Sequence, residues 1–240
     1  MKRKILLTFT ILILGGILFF YFLNKRIEGV WINHYSMDLD GENTYYDGET
    51  LTEIKNQKFY YHSSLYNGVT PEKKYFNSGI RLIFRNTAWE KISSINKDSL
   101  VIIRGYDDDR IFKTIMKRVP DSLKNNSSLT EKLQGNFYRI HLPALNRTDT
   151  IFFDNQLIWR KNGHRTKQWH DTQSWDLAKI DGFDILFLGN WPTLILKKDK
   201  NQIKLYGFDK AKFIKSELNK IEMDSSEVKK FIELKKNYME

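Results

Sequence analysis

The chain begins with a continuous apolar run and then changes to short apolar stretches that alternate with polar residues. Residues 5–23 carry no charged side chain. As a helix, this run would span about 28 Å, which matches the hydrocarbon core of a bilayer at about 30 Å. Its C-terminal end, residues 23–26, lacks the small-residue pattern of a signal-peptidase site. The pattern therefore predicts an uncleaved membrane anchor within residues 1–26 and disfavours a cleaved signal peptide.

Basic residues flank this apolar run on both sides. Lys2, Arg3 and Lys4 stand before it together with the amino terminus, whereas Lys25 and Arg26 stand after it. Segments with the larger number of Lys and Arg residues stay in the cytoplasm. We therefore expect a single-pass protein whose N-terminus is cytoplasmic and whose body is extracytoplasmic, in the periplasm of a bacterium.

From residue 27 onward, the apolar runs are short, and many of them have a period of two. They are rich in β-branched and aromatic residues, which fit a pleated, half-buried surface. Asp-Gly and Asn-Gly dipeptides such as Asp181-Gly182 fall between them and favour tight hairpins. The predicted strands are 29–35, 58–62, 80–85, 100–104 and 111–117 in the first half, and 137–142, 151–153, 156–160, 175–180, 183–188, 193–197, 203–206 and 213–218 in the second half.

Two stretches resemble each other closely enough to indicate an internal repeat. Residues 105–113 and residues 207–215 both contain Gly-aromatic-Asp followed by an apolar and basic run. The two repeat units also begin alike, with Gly29-Val30-Trp31 in the first and Gly135-Asn136-Phe137 in the second. Between the beginning and the end of each unit stands a tryptophan, and we pair Trp89 of the first unit with Trp175 of the second. Because the order is the same in both halves, we predict duplication, with a first β unit at 27–120, a linker at 121–132 and a second β unit at 133–222.

A helix is predicted after the second β unit, in residues 223–240. Asp224 and Glu227 have the spacing of a capping box at its start. Its apolar stripe is expected to pack on the β body rather than on a membrane surface or a partner, and consists of Val228, Phe231, Ile232 and Tyr238. The predicted fold class is therefore all-β and antiparallel, with two related small barrel-like units between an N-terminal transmembrane helix and a C-terminal helix. A single merged barrel is the alternative.

The first unit carries a pattern found in a known family. Gly29-Val30-Trp31 opens the first predicted strand, and Arg118 stands near the close of the last one. This combination, with a helix after the β body, resembles the lipocalin family. The resemblance implies a lipocalin-like barrel of the membrane-tethered bacterial kind, in which Arg118 stacks on Trp31, and it implies no inherited catalytic activity. The second unit departs from the pattern, because Phe137 stands where the tryptophan would be.

Net charge and cysteine content limit the kinds of partner and of chemical site that this chain can have. The formal net charge is +10, and the anchor flanks account for half of it. The remaining excess lies in the second half and is interpreted as a solvated Lys-rich surface, with an anionic lipid surface or an acidic partner as the alternative. The chain has no cysteine, which excludes disulfides, thiolate zinc sites and cysteine nucleophiles.

The candidate chemistry lies in the region His164–Trp175. His164, His170 and Asp171 could approach one another across a predicted hairpin, although metal ligands must converge on one point. We predict no catalysis, no cofactor and no metal. Basic and aromatic residues alternate here as in proteins that bind single-stranded nucleic acid, but we expect no nucleic-acid partner for an external, tethered domain. The acidic stretches 38–42 and 107–109 are interpreted as turns rather than calcium loops.

The predicted function is a membrane-tethered, lipocalin-like binding or protein-interaction domain of the cell envelope. The interaction hypothesis rests on the tether, the duplication and the tryptophans of the basic hairpin, namely Trp159, Trp169 and Trp175. One alternative is a carrier of a small apolar ligand in a barrel cavity. The other is an enzyme or metal site around His164–Trp175. The partner is expected to be an envelope protein or a small apolar ligand.

Overall fold

The computed structural model of this chain describes residues 2–38, 44–45, 51–56, 58–62, 69–77, 82–84, 90–105, 111–124, 133–142, 146–155, 157–162, 169–189, 191–199, 201–209 and 212–239. The described residues divide into two compact units, with the boundary between Pro120 and Asp121. The first unit contains α1 (Lys2–Ile27), β1 (Gly29–Asp38), β2 (Thr44–Tyr45), β3 (Leu51–Lys55), β4 (Lys58–His62), β5 (Val69–Asn77), β6 (Leu82–Phe84), β7 (Glu90–Ile95), β8 (Ser99–Gly105) and β9 (Ile111–Arg118). The second contains a 3-10 turn (Asp121–Leu123), β10 (Phe137–Leu142), β11 (Arg147–Phe153), β12 (Leu157–Asn162), β13 (Trp169–Ile180), β14 (Phe183–Leu188), β15 (Trp191–Asp199), β16 (Gln202–Asp209), β17 (Lys212–Ile221) and α2 (Ser225–Met239).

The strands of the first unit form one antiparallel sheet that returns to its own first strand. Each strand from β3 to β8 pairs with the next, β1 pairs with β2 and β3, and β9 pairs with β1. The closing pair runs from Trp31 opposite Arg118 to Asp38 opposite Phe112. Closure in this way leaves few free sheet edges.

The second unit is a closed barrel of the eight strands β10–β17, all antiparallel. In β10, Tyr138 and Ile140 belong to the barrel core, whereas Arg139 and His141 are exposed. This alternation follows from the period of two in a strand. The predicted class is thus confirmed: an antiparallel β body in two barrel-like units, with a helix at each end of the chain.

The interior of the second barrel is filled by large apolar side chains. They form one contiguous cluster in which each buried member is at most 4% exposed: Leu133, Tyr138, Ile140, Ile151, Phe153, Ile158, Leu186, Ile195, Ile203, Leu205 and Leu218. Barrels of eight strands have an interior just wide enough to be filled in this way or to hold one small ligand. In the part of the second unit that the structure describes, side chains therefore fill the barrel interior.

The hairpin between β13 and β14 confirms the turn predicted at Asp181-Gly182. Ile180 pairs with Phe183, so the loop has two residues. Both have positive φ angles, 47° for Asp181 and 86° for Gly182. Such angles give the tight two-residue turn whose twist matches the flanking strands.

The sequence pattern missed the strands β3, β5 and β7 of the first unit, together with the two-residue β2. β5 contains a proline and three consecutive charged residues, and four of the six residues of β7 are polar. The backbone groups of β3, β5 and β7 pair with a neighbouring strand on each side, regardless of side-chain polarity. Closure of the sheet, rather than local hydrophobicity, therefore makes these segments strands.

The topology confirms one part of the predicted repeat and corrects another. Residues 105–113 and 207–215 both belong to the last hairpin of their unit, β8–β9 and β16–β17. However, Trp175 lies within β13, the fourth strand of its barrel, and does not correspond to Trp89. With β2 left aside, Trp89 precedes the sixth strand of the first unit, and the sixth strand of the second unit begins at Trp191. Trp89 and Trp191 are 102 residues apart, as are the two endings.

α2 confirms the predicted C-terminal helix and its cap. The backbone N–H of Ser226 donates to Oδ1 of Asp224 at 2.7 Å, immediately before the helix. Phe231 is buried at 2% exposure, but Ile232 is 59% exposed, so the prediction that Ile232 belongs to the packed stripe was wrong. Leu234 packs near Phe231 instead. The positions three residues apart lie on one face of the helix, as expected.

Candidate functional site

The end of α1 is joined to the first β unit through a single intervening residue. α1 ends at Ile27 and β1 begins at Gly29. Ile27 is 1% exposed and belongs to the core of the first unit, and the side chain of Asn24 is also buried. Arg26 donates from Nη2 to the carbonyl oxygen of Ile95, at the end of β7, at 3.3 Å. The helix is therefore anchored in the β unit and is not connected to it by a flexible linker.

Trp31 and Arg118 complete this junction. The indole N–H of Trp31 donates to the carbonyl oxygen of Ile27 at 2.9 Å, and Nη2 of Arg118 donates to the carbonyl oxygen of Glu28. Carbonyl groups at the C-terminus of a helix have no partner within the helix. The two side chains thus donate hydrogen bonds to backbone oxygens between the end of α1 and the start of β1. We call Ile27, Glu28, Trp31 and Arg118 the α1 junction.

The guanidinium group of Arg118 also lies over the ring of Trp31. Its central carbon is 4.9 Å from the ring centroid, and Trp31 itself is fully buried. This is the stacking that the lipocalin resemblance implied. Gly29 allows it, because its φ angle is +138° and a Cβ atom there would lie 3.0 Å from Nη2 of Arg118. In the second unit, β10 places Phe137 opposite Ile221 instead.

The region His164–Trp175 is only partly described, since His164 lies outside the described residues. β13 pairs His170 with Arg160 and Asp171 with Trp159. The side chain of His170 is exposed, and that of Asp171 lies outside the described residues. Among the described residues, no group of three or more His, Cys, Asp or Glu side chains has the spacing to hold a metal ion.

The tryptophans of this region lie in the core. Trp159 and Trp169 are 1% and 7% exposed and pack against Phe231 of α2, with ring centroids 5.7 and 4.8 Å from it. Trp175 faces the barrel core and donates its indole N–H to the carbonyl oxygen of Asp154 at 2.7 Å. The Trp-rich hairpin is therefore not the exposed set of binding anchors that the interaction hypothesis used.

Charged side chains stand on the interior face at one end of the second barrel. Asp149 lies opposite Ile140 in β10, and Arg160 lies opposite Ile151 in β11. Both partners belong to the barrel core, and residues directly opposite each other share a face. Arg147 is two positions before Asp149 in β11 and shares that face. We call Arg147, Asp149 and Arg160 the arginine cluster.

The arginine cluster is held around one buried carboxylate. The Asp149 side chain has no exposed surface, while those of Arg147 and Arg160 are 21% and 23% exposed. Nη2 of Arg147 donates to Oδ2 of Asp149 at 2.9 Å, and Nε of Arg160 lies 3.7 Å from the same oxygen. Burial lowers the pKa of the Arg160 guanidinium, Asp149 opposes this, and the charge of Arg147 adds to it. Arginine side chains are not deprotonated in proteins, so both guanidinium groups of the cluster carry their charge.

No protein-family model matches this chain, and no curated protein matches it at a significant level.

Sequence reasoning missed the arginine cluster, although a signal was present. Arg147, Asp149, Ile151 and Phe153 occupy alternate positions of β11 and therefore lie on one face of the strand. The two charged residues thus share the inward face with the two core residues. The strand predicted from the apolar residues began only at Ile151. A strand extended backward in the same register would have placed two charges inside a barrel, where charges require partners.

Two ion pairs fasten α2 to the outside of the second barrel. Nζ of Lys161 lies 2.5 Å from Oε2 of Glu227, and Nζ of Lys235 lies 2.5 Å from Oδ2 of Asp154. Burial acts to raise the pKa of the Asp154 carboxyl, but hydrogen bonds from Lys235, the N–H of Asn155 and the indole of Trp159 outweigh it and lower that pKa. The hydrogen bond from Lys161 lowers the pKa of Glu227.

These shifts predict that acid loosens α2. Because the folded pKa of Asp154 lies below its unfolded value, its contribution is fully present above about pH 4 and is lost as pH falls through the folded pKa. Hydrogen exchange of the α2 amides should therefore accelerate below about pH 4, relative to the intrinsic exchange rate. Asp154→Asn should weaken this acceleration, and the control Asp199→Asn, at an exposed side chain, should not. Equal acceleration in the wild type and in Asp154→Asn would contradict the assignment.

Proposed function

We infer that this chain is a membrane-tethered, lipocalin-like binding or protein-interaction domain of the bacterial cell envelope. The observation that carries this inference is the α1 junction. An apolar helix with exposed sides runs directly into a β unit, and the unit supplies hydrogen bonds to its last carbonyl groups. A helix that only served as a removable signal would not need such fastening.

The length and composition of α1 support the membrane tether. Ile5–Ile27 has a mean hydropathy of 2.5 over its most apolar eighteen residues, and none of that window is buried. At 1.5 Å per residue the uncharged residues 5–23 extend about 28 Å, close to the thickness of the hydrocarbon core at about 30 Å. Exposed apolar surface of this extent is unfavourable in water and favourable in lipid.

The lipocalin-like part of the proposal is supported by the first unit. Its sheet returns to β1, Gly29 and Trp31 stand at the start of that strand, and Arg118 lies on Trp31 from the last strand. A barrel of this kind is a common scaffold for binding at its mouth. Fold alone does not fix a ligand, so the proposal stops at a binding or interaction role.

The alternative of an apolar-ligand carrier gains no support from the second unit. Its described interior is a contiguous apolar cluster that includes Tyr138 and Phe153, whose rings are 5.5 Å apart. A buried apolar ligand needs a cavity of some hundreds of Å³. A role in which the second unit binds at its surface or its end is therefore favoured over one in which it encloses an apolar molecule.

The orientation of the tether has a direct test. A reporter active only in the periplasm, fused after Glu240 of the full chain, should be active, because the basic residues before the anchor keep the N-terminus in the cytoplasm. A reporter active only in the cytoplasm should be inactive at the same position. As a control, Lys2, Arg3 and Lys4 should be changed together to glutamine, which should reduce the periplasmic signal. Activity of the cytoplasmic reporter alone would reverse the proposed orientation.

A further inference from the structure

The arginine cluster carries more positive charge than its own carboxylate neutralises. Two guanidinium groups surround one carboxylate, so the cluster has a net charge of +1 when all three groups are ionised. Nε of Arg147, Nε of Arg160 and Oδ1 of Asp149 are buried without a hydrogen-bond partner. Buried donors and acceptors are normally satisfied, and unsatisfied ones require an explanation. Here the unsatisfied atoms include two charged donors within one cluster.

A cluster of charges with a purely structural role would fill the barrel interior less favourably than apolar side chains would. Burial of charges costs free energy that their attraction recovers only when the remaining hydrogen bonds are made. The interior positions next to the cluster along β10 and β11 are filled by Ile140, Leu142 and Ile151, and similar residues would fill the cluster positions too. Part of each arginine side chain, 21% for Arg147 and 23% for Arg160, is nevertheless exposed to solvent, although both Nε atoms are buried.

The direction of the strands places the cluster at a defined end of the barrel. Arg147 begins β11, and Arg160 lies two residues before the end of β12. Because the strands alternate in direction, the start of β13 and the start of β15 lie at this same end. His170 lies opposite Arg160 and is exposed, and Trp191 is 41% exposed. This end therefore combines two partly exposed arginine side chains with an exposed aromatic ring.

We propose that the arginine cluster binds a small oxyanion, the carboxylate or phosphate head of a ligand, at this end of the second barrel. Asp149 holds Arg147 and Arg160 apart and in place, and the oxyanion receives the N–H groups that Asp149 leaves unused. The planar fork of arginine suits both head groups. Only the head enters, since the apolar core below Asp149 is filled. The proposal deepens the binding role proposed above by giving it a ligand class.

The test is calorimetric titration of the full chain in nonionic detergent with sodium phosphate and, separately, sodium acetate at constant ionic strength. The wild type should bind at least one of them saturably. Arg160→Gln should weaken that binding by about tenfold or more, the usual loss when a charged hydrogen-bond donor is removed. Arg139→Gln is the matched control, because Arg139 is exposed on the outer face of β10, and it should bind as the wild type does. Preference for phosphate or for acetate then identifies the head group.

Asp149→Asn separates binding from a structural role. Removal of the competing carboxylate raises the positive charge of the cluster to +2, so anion binding should tighten by about tenfold. If the cluster were only a buried ion network, Asp149→Asn would lower stability and gain no anion affinity. Where Arg160→Gln fails to fold, Arg160→Lys keeps the charge, loses the fork, and should still weaken binding.

Three results would overturn the proposal: no saturable binding by the wild type, equal losses in Arg139→Gln and Arg160→Gln, or no tightening in Asp149→Asn. The orientation of α1 in a membrane does not affect any of these binding measurements. A failure of the anion test therefore leaves the reporter result standing, and a reversed orientation leaves the anion result standing.

Discussion

Replacement of Trp31 by alanine is expected to destabilise the first β unit by about 3–5 kcal/mol, the usual cost of removing a large buried aromatic side chain. Trp31 is fully buried and packs in a core with Phe59, Leu100 and Met116. Its loss also removes the hydrogen bond to the carbonyl oxygen of Ile27 and the ring under Arg118. The change should therefore free the end of α1 as well as open the core.

Hydrogen exchange is the suitable measurement, because a chain of two units need not unfold in one step. The amides of β1 and β9 should lose protection by about a hundredfold or more in Trp31→Ala, while those of β16 and β17 should change little. Trp191→Ala is the control, since that ring is 41% exposed, and it should change the stability by less than about 0.5 kcal/mol. Unchanged protection of β1 in Trp31→Ala would show that the junction does not depend on the indole.

A second change separates the packing of Trp31 from its hydrogen bond. Trp31→Phe keeps an aromatic ring under Arg118 but leaves the carbonyl oxygen of Ile27 without its donor. An unsatisfied buried acceptor costs about 1–3 kcal/mol, in addition to the smaller volume. Trp31→Phe should therefore lie between the wild type and Trp31→Ala in the protection of β1.

Of the α1 junction, the lipocalin resemblance implied the stack of Arg118 on Trp31, whereas the hydrogen bonds to the carbonyl oxygens of Ile27 and Glu28 were not predicted. A glycine that must adopt positive φ, a tryptophan two residues later and an arginine at the end of the last strand are residue types with few substitutes. The barrel hairpin at Asp181-Gly182 was predictable for the same reason. In each case the backbone conformation or the stack requires a particular side chain, so the requirement is visible in the chain itself.

The parts that could not be predicted depend on ring closure. β5 and β7 are strands because both neighbours in the sheet pair with them, and their own residues are too polar to indicate it. The arginine cluster depends on register, because a shift of one residue would place Asp149 outside and Thr150 inside. The interaction hypothesis used Trp159 and Trp169 as binding anchors, and nothing local shows that α2 covers them.

The second large effect is expected from replacement of Phe231, the residue of α2 that packs most deeply against the barrel. It is 2% exposed and contacts four aromatic rings of the barrel, namely those of Phe137, Phe152, Trp159 and Trp169, with centroids 4.8–5.7 Å away. Phe231→Ala should weaken the docking of α2 by about 3–5 kcal/mol. A helix of 15 residues is marginal in water without such packing.

The expected result is loss of hydrogen-exchange protection throughout α2, by about a hundredfold or more, with the barrel strands β14 and β15 less affected. The matched control is Ile232→Ala, the next residue along the same helix, which is 59% exposed and should leave protection unchanged. This pair of variants separates the two roles considered for α2. A helix that packs on its own barrel depends on Phe231, whereas a helix reserved for a membrane surface or a partner would depend on the exposed Ile232. Similar protection in the wild type and in Phe231→Ala would mean that the ion pairs of Glu227 and Lys235, rather than the aromatic cluster, hold α2 in place.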